Sequence, residues 1–164
     1  MSIHFTRVLA GMALAVTLTA TATAQTKAPQ RPSDKDPVAL GRYLVKTTGC
    51  NDCHTAGYAA KAGQVPESEW LQGDALGWRG PWGTTYATNL RLHFAGLSEK
   101  QWLVLARTMQ ARPPMPWFAL RDMSDGDLKA LYRYIKAQGA AGQPAPAYLP
   151  PPAVPQGPAV QFPQ

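Results

Sequence analysis

The chain has 164 residues, enough for one domain, since domains usually contain about 100 to 200 residues. Hydrophobic residues make up 45% of it, and 16 basic against 10 acidic side chains give a formal charge of +6, so a wholly disordered polyelectrolyte is excluded. Its two cysteines, Cys50 and Cys53, are too few for a disulfide-rich scaffold or a four-cysteine zinc or iron–sulfur site. The lysines are scattered, which argues against nucleic-acid binding.

The first 24 residues have the layout of a secretory signal peptide. Arg7 precedes an uncharged run over residues 8–24, which ends in the small residues Ala22-Thr23-Ala24. We therefore expect cleavage before Gln25 and export to the periplasm. An uncleaved membrane anchor is the alternative, but a bilayer-spanning helix usually has about 20 strongly apolar residues, and this run contains several threonines.

Three helices are predicted from capping residues and helical periodicity. The first begins at Asp36, its N-cap, with Pro37 at the first helical position. The second begins with the capping box Ser98–Gln101 and continues up to the next pair of prolines. The third begins after Ser124 and ends at Gly139. We therefore place one domain at residues 36–139, after an N-terminal extension at residues 25–35.

The rest of the chain shows little regular patterning. Residues 56–95 are rich in Gly and Trp and lack an alternating apolar run, so we expect mostly loop, a short helix around Glu67 to Leu71, and no substantial sheet. A loop of that length is unusual in a compact domain, and packing on a large apolar cofactor would explain it. Residues 140–164 contain eight prolines and are predicted to form an extended, Pro-rich C-terminal tail.

One short motif carries specific chemistry. Residues 50–54, Cys-Asn-Asp-Cys-His, match the C-x-x-C-H pattern of covalent haem attachment. Two thiols three residues apart on a tight helical turn can each add to one vinyl group of a haem, and His54 can then supply the proximal imidazole. We therefore predict one covalently attached haem c, bound through Cys50 and Cys53, with His54 as an iron ligand. The alternatives are a thioredoxin-like redox pair and half of a zinc site completed by His93 or carboxylates.

The sixth iron ligand decides between a carrier and an enzyme. Met115 lies in Pro113-Pro114-Met115-Pro116-Trp117, where three prolines restrict the backbone and exclude a helix. A stiff loop lowers the entropy lost when a weakly binding thioether ligates iron, so Met115 is the predicted ligand. Met109, Met123, His93 and an open position remain as alternatives.

These features together resemble a class I monohaem c-type cytochrome. The resemblance rests on the C-x-x-C-H motif, the loop Pro114-Met115-Pro116 and the last helix with Leu131-Tyr132-Arg133-Tyr134-Ile135, and it covers about residues 36–139. It implies an all-α, cytochrome c-like fold with about three to four helices around one covalent haem and long loops. In that family the first and last helices cross in contact, with a small residue on the first helix and an aromatic residue on the last. The residues that match the crossing here are Gly41 and Tyr43 on the first helix and Tyr132 or Tyr134 on the last.

A narrower resemblance is to the haem modules of cytochrome subunits that serve bacterial periplasmic dehydrogenases of alcohols and sugar acids. Residues 83–90, followed by Gly96-Leu97-Ser98 and the Pro-Met-Pro loop, are similar to their layout. Those subunits usually continue with Asn-Ile-Thr-Pro-Asp where this chain has Asn-Leu-Arg-Leu-His at residues 89–93. They commonly carry several haems per chain, whereas the single motif here predicts one.

Haem propionates are carboxylates that need hydrogen-bond donors when they are buried or half-buried. The loop expected to cover the haem edge offers four candidate donors: Arg79, Trp82, Asn89 and Arg91.

The predicted function is one-electron transfer by Fe(III)/Fe(II) cycling, because two axial ligands from the protein leave no position for a substrate. The protein would then be an electron carrier and not an enzyme by itself. Its expected partners are redox proteins, namely a dehydrogenase, an oxidase or another cytochrome, with membrane contact only through them unless the N-terminus is uncleaved. One alternative is a haem-bearing subunit of a periplasmic dehydrogenase or oxidase complex. A further alternative is a haem peroxidase or small-ligand sensor with an open or labile sixth site.

Overall fold

The computed structural model of the chain describes residues 30–163. The predicted signal peptide lies outside the described residues, as does most of the N-terminal extension. Ten elements follow one another along the chain: helices α1 (Pro37–Thr47) and α2 (Cys50–His54), a single 3-10 turn (Glu67–Glu69), strands β1 (Gly77–Gly80) and β2 (Gly83–Tyr86), helices α3 (Leu90–Ala95), α4 (Glu99–Thr108), α5 (Trp117–Asp122) and α6 (Asp125–Gln138), and strand β3 (Ala159–Gln161).

The three predicted helices are confirmed as α1, α4 and α6, with the predicted capping residues. The Asp36 carboxylate accepts a hydrogen bond from the backbone N–H of Ala39 at 2.9 Å. Ser98 and Gln101 form the reciprocal capping box of α4. Ser124 caps α6 in the same way as Asp36 caps α1. Helix α4 ends at Thr108, several residues before the predicted proline break.

The all-α prediction is correct for the helical core and wrong about the sheet. Strands β1 and β2 form an antiparallel hairpin, and β3 pairs with β1 in parallel, giving the order β2-β1-β3. Each hairpin strand has four residues, too few to show a period-two pattern, and β3 comes from the Pro-rich tail. Helices α3 and α5, of six residues each, are too short for a helical period to be visible. With α2, the helical turn expected at the cysteine motif, the described residues form six α-helices instead of three to four.

Helices α1 and α6 make the central contact of the fold. Gly41 faces α6 so closely that a Cβ atom built on it would lie 2.6 Å from Tyr134 Cβ and collide with the carbonyl of Ala130. Of the crossing residues that the family resemblance implied, Gly41 and Tyr134 therefore meet directly. The two helices supply half of the buried core: Leu40, Leu44, Val45, Leu128, Ala130, Leu131, Tyr134 and Ile135.

A polar network closes one side of this helix pair. Tyr134 Oη donates to Glu67 Oε1 at 2.8 Å, and Arg42 Nε donates to Glu67 Oε2 at 2.7 Å. Burial would raise the pKa of Glu67, but these two hydrogen bonds and the Arg42 charge outweigh it and hold that pKa below its ordinary value. The carboxylate thus joins α1, α6 and the 3-10 turn.

Arg91 connects α3 to the end of α6. Its buried guanidinium donates to the carbonyls of Gly139 at 2.7 Å and Ser68 at 2.8 Å, and also to the carbonyl of Gln138. Two of these carbonyls lie at the C-terminus of α6, where unpaired backbone acceptors and the helix dipole favour a cation.

The tail is extended and lies on the domain. Asn89 Nδ2 donates to the carbonyls of Ala141 and Gln143 at 2.8 and 3.1 Å. Further along, the Phe162 ring packs against Trp82 and Trp78, with centroids 5.2 and 6.2 Å away. The tail therefore covers the hairpin. Within residues 30–163, no helix is both long and apolar enough to span a bilayer.

Substitution of Gly41 by alanine is expected to destabilise the protein strongly. The added methyl group meets backbone of α6 that cannot move without separating the helices, so the free energy of unfolding should fall by about 3 kcal/mol or more. Denaturant unfolding followed by circular dichroism measures the change. Gly96→Ala is the matched control, because a Cβ at Gly96 has no atom within 4 Å. Equal stability of the two variants would contradict the close helix contact.

Substitution of Glu67 by glutamine is expected to destabilise the protein in a pH-dependent way. The pKa of Glu67 is lower in the folded protein than in the unfolded chain, where it is about 4.5, so the ionised carboxylate stabilises the folded state above pH 4.5. This stabilisation is lost as the pH falls through the pKa of the folded state. At pH 7 the free energy of unfolding of the wild type should exceed that of Glu67→Gln by about 1 kcal/mol, and this difference should shrink below pH 4.5. Glu69→Gln, at an exposed carboxylate of the same turn, is the control. A pH-independent difference would contradict the assignment.

Candidate haem site

The cysteine motif occupies a single helical turn that a glycine places against α1. Gly49 has φ of +80°, a left-handed conformation that glycine adopts without strain, and it separates α1 from α2. Cys50 and Cys53 lie on this turn, half-buried and not joined in a disulfide. The structure therefore brings both thiols and His54 together on one short helix.

The His54 ring has a defined orientation and tautomer. Its Nδ1 lies 2.7 Å from the carbonyl oxygen of Thr88. A carbonyl oxygen only accepts, so Nδ1 carries a proton, and in the neutral ring Nε2 then keeps its lone pair. Burial lowers the pKa of His54 by more than the hydrogen bond to the Thr88 carbonyl raises it, and the charge of His93 adds to the lowering. The imidazole is thus neutral near pH 7, with Nε2 available to a metal.

The segment that carries Thr88 is held close to the motif. The backbone N–H of Gly73 donates to the His54 carbonyl at 2.8 Å. Gly73 has φ of +80°, and a Cβ atom on it would lie 2.8 Å from both Ala87 O and Asn89 N, so any larger residue would push this segment away. Asn89 in turn caps α3 by accepting from Leu92 N–H. The imidazole is therefore fixed through two loop segments.

A buried chain of hydrogen bonds connects the other side of the cysteine motif to the core. Thr55 Oγ1 donates to Asn51 Oδ1 at 2.8 Å and accepts from the backbone N–H of Leu71 at 2.8 Å. Asn51 is fully buried, and its Nδ2 has no hydrogen-bond partner within residues 30–163. Asn51 occupies an x position of the C-x-x-C-H motif, and nothing in the motif indicates a buried hydrogen bond there. The sequence therefore does not predict this structural role of Asn51.

The thiols differ from those of redox-active cysteine pairs. Burial raises the pKa of the Cys50 thiol, and burial together with the Asp52 charge raises that of Cys53. Redox-active C-x-x-C cysteines have a lowered pKa, because the thiolate is the attacking species. For the zinc alternative, no three His, Cys, Asp or Glu side chains within the described part of the chain form a group that could hold a metal ion.

Met115 lies in a loop that the hairpin holds. The Met115 N–H donates to the Arg112 carbonyl at 3.3 Å, and Thr85 Oγ1 donates to the Pro113 carbonyl at 2.7 Å. Thr85 comes three residues before Thr88, the residue that orients His54. One stretch of chain after β1 therefore holds both the motif histidine and the methionine loop.

The other candidate axial ligands lie in different settings. Met109 is the C-cap residue of α4, and Met123 is the C-cap residue of α5, where it packs against the hydrophobic core. His93 is exposed and lines a cavity of about 350 Å³ with Thr88 and tail residues Pro144–Pro146.

Three of the four candidate propionate donors already serve the fold. Asn89 and Arg91 donate to backbone carbonyls of the tail and of α6, and Trp82 Nε1 donates to the Trp78 carbonyl at 3.3 Å. Arg79, half-buried on β1, makes no side-chain hydrogen bond or salt bridge with any residue that the structure describes. Arg79 is therefore the candidate whose guanidinium remains available to a haem propionate.

The donor set fits a haem c. Two unpaired thiols lie on one turn, the neighbouring imidazole presents an unprotonated Nε2, and a thioether is held in a proline-rich loop. Thioether bond formation needs the thiols, and iron accepts both neutral nitrogen and neutral sulfur ligands.

Comparison with known proteins agrees with this chemistry. The profile of the cytochrome c family matches residues 38–139. A nicotinate dehydrogenase subunit of Pseudomonas putida is 30% identical over 118 residues, which is 65% of this chain and 9% of that protein. The chain thus corresponds to a small part of that much longer relative. No solved structure matches significantly.

The family profile extends from the start of α1 to the end of α6, and so includes both crossing helices, the C-x-x-C-H turn and the methionine loop. The family binds haem c covalently, which is the chemistry that the thiols and the imidazole suit. The chain belongs to the cytochrome c family.

Proposed function

We propose that the protein is an exported, periplasmic carrier of single electrons that holds one haem c. In this proposal Cys50 and Cys53 form the two thioether bonds, and His54 and Met115 are the axial ligands. The observation that carries it is the 2.7 Å hydrogen bond from His54 Nδ1 to the Thr88 carbonyl, since it places the single proton of the neutral imidazole on Nδ1 and leaves the Nε2 lone pair for iron.

When bound, the haem supplies a Fe(III)/Fe(II) couple. The polypeptide keeps the ligands in place in both oxidation states. The Thr88 carbonyl fixes the imidazole plane and increases the basicity of Nε2. The prolines of the methionine loop and the bond from Thr85 to Pro113 limit movement of the Met115 thioether. Ligands that move little on electron transfer, and that leave no open position, suit a carrier better than a catalyst.

A second candidate is a haem-bearing subunit of a dehydrogenase complex. The similarity to part of the nicotinate dehydrogenase subunit of Pseudomonas putida supports it. Helix α5, directly after the methionine loop, also exposes an apolar side chain, with Phe118 53% exposed. An exposed aromatic next to the ligand loop is a suitable contact for a redox partner. Elution from the source periplasm with a larger oxidoreductase at constant ratio would favour this candidate over a free carrier.

Substitution of Met115 by alanine is expected to remove the sixth ligand. The wild type, produced in the periplasm with haem-attachment machinery, should give a low-spin spectrum with a weak sulfur-to-iron charge-transfer band in the oxidised state. Met115→Ala should lose this band, because no other thioether is held in that loop. Absorption spectra of oxidised and reduced protein measure the change.

Met109→Ala and Met123→Ala are the matched controls, and both should keep the band. A high-spin wild type would favour the peroxidase or sensor interpretation. Survival of the band in Met115→Ala, with loss in either control, would move the ligand assignment to that methionine.

A further inference from the structure

The Pro-rich tail contacts the methionine loop through one aromatic residue. Tyr148 lies beneath Arg112, with the guanidinium carbon 3.8 Å from the ring centroid. This distance is short for a cation–π contact, which extends to about 6 Å. Arg112 is also the residue whose carbonyl accepts the Met115 N–H. The tail therefore touches the loop at the residue that begins the Met115 turn.

Tyr148 is itself held on the hairpin. Its Oη donates to the Trp82 carbonyl at 2.8 Å. Its neighbour Leu149 forms an antiparallel bridge with Thr84, with backbone hydrogen bonds of 2.8 and 3.0 Å. Gly83 has φ of +95°, and a Cβ atom there would collide with the Leu149 carbonyl. The tail passes where only a glycine leaves room for it.

Two adjacent contacts thus hold the start of the methionine loop. The Thr84–Leu149 bridge places Thr85 of β2 and Tyr148 of the tail next to each other in register. Thr85 binds the Pro113 carbonyl, and Tyr148 supports the Arg112 guanidinium. The tail is fixed again beyond this point, where β3 pairs with β1.

We propose that the C-terminal segment, residues 140–163, is a strap for the methionine loop and that Tyr148 is a positioning residue for Met115, acting through Arg112. The proposal rests on the proposed function, in which Met115 is the sixth ligand. Loss of the Tyr148–Arg112 contact lets the loop open more often. In the open state a small ligand from solution can take the place of the thioether.

Imidazole binding to the oxidised, haem-loaded, full-length protein tests the strap. The apparent affinity for an external ligand rises in proportion to the open fraction. Tyr148→Ala and Arg112→Gln should each bind imidazole about threefold more tightly than wild type, as expected for loss of a cation–π contact at an exposed arginine. The double variant should bind imidazole no more tightly than Tyr148→Ala alone, because Tyr148→Ala already removes the cation–π contact together with the hydrogen bond to the Trp82 carbonyl. Tyr148→Phe, which keeps the ring under Arg112, should change less.

Controls separate positioning from folding. Val154→Ala alters an exposed side chain of the same tail and should bind imidazole like wild type. Arg112 is exposed, so Arg112→Gln removes no core packing and tests the proposal even if Tyr148→Ala does not fold. Thermal unfolding is measured in parallel, since a purely structural role would lower stability without changing imidazole affinity well below the unfolding temperature.

Two results would overturn the inference in different ways. Wild-type imidazole affinity in Arg112→Gln and, where it folds, in Tyr148→Ala, with the charge-transfer band lost in Met115→Ala, would refute the strap and leave the ligand assignment intact. Retention of that band in Met115→Ala would refute the ligand assignment and the strap with it.

Discussion

The hydrogen bond between the His54 imidazole and the Thr88 carbonyl is the constraint on which the site depends. Helix α2 has five residues and cannot orient a side chain by its own packing. The partner is a backbone oxygen 34 residues further along the chain, so the loop that carries it must be held at a fixed distance. Gly73 allows the close approach and Asn89 caps the helix that follows. These two residues thus hold the segment whose carbonyl orients the imidazole.

The sequence predicts some elements well because their signals are local. Helices α1, α4 and α6 have capping side chains and helical periodicity, and both are read from neighbouring residues. The C-x-x-C-H motif is equally local, and the family it indicates is confirmed by the profile match. The crossing of α1 and α6 was expected from the family resemblance, and the structure places Gly41 against Tyr134.

The missed features depend on contacts between distant segments. The hairpin strands are four residues long and rich in glycine, so they read as loop. Thr88 contributes a backbone atom, which leaves no mark on side-chain identity. The contacts of Arg91 with the unpaired carbonyls at the end of α6 involve a residue 48 positions further along the chain, so no local pattern indicates them. Composition predicts that the tail is extended, but its position depends on individual contacts such as those of Tyr148 and Phe162.

The intact mass of the protein under denaturing conditions tests the central claim most directly, because a covalent haem survives unfolding and a dissociable one does not. In a host with haem-attachment machinery, we predict the mass of residues 25–164 plus one haem, with no thiol left at Cys50 or Cys53 to react with an alkylating reagent. A mass equal to the polypeptide alone, with both cysteines recovered as thiols or as a disulfide, would contradict the account.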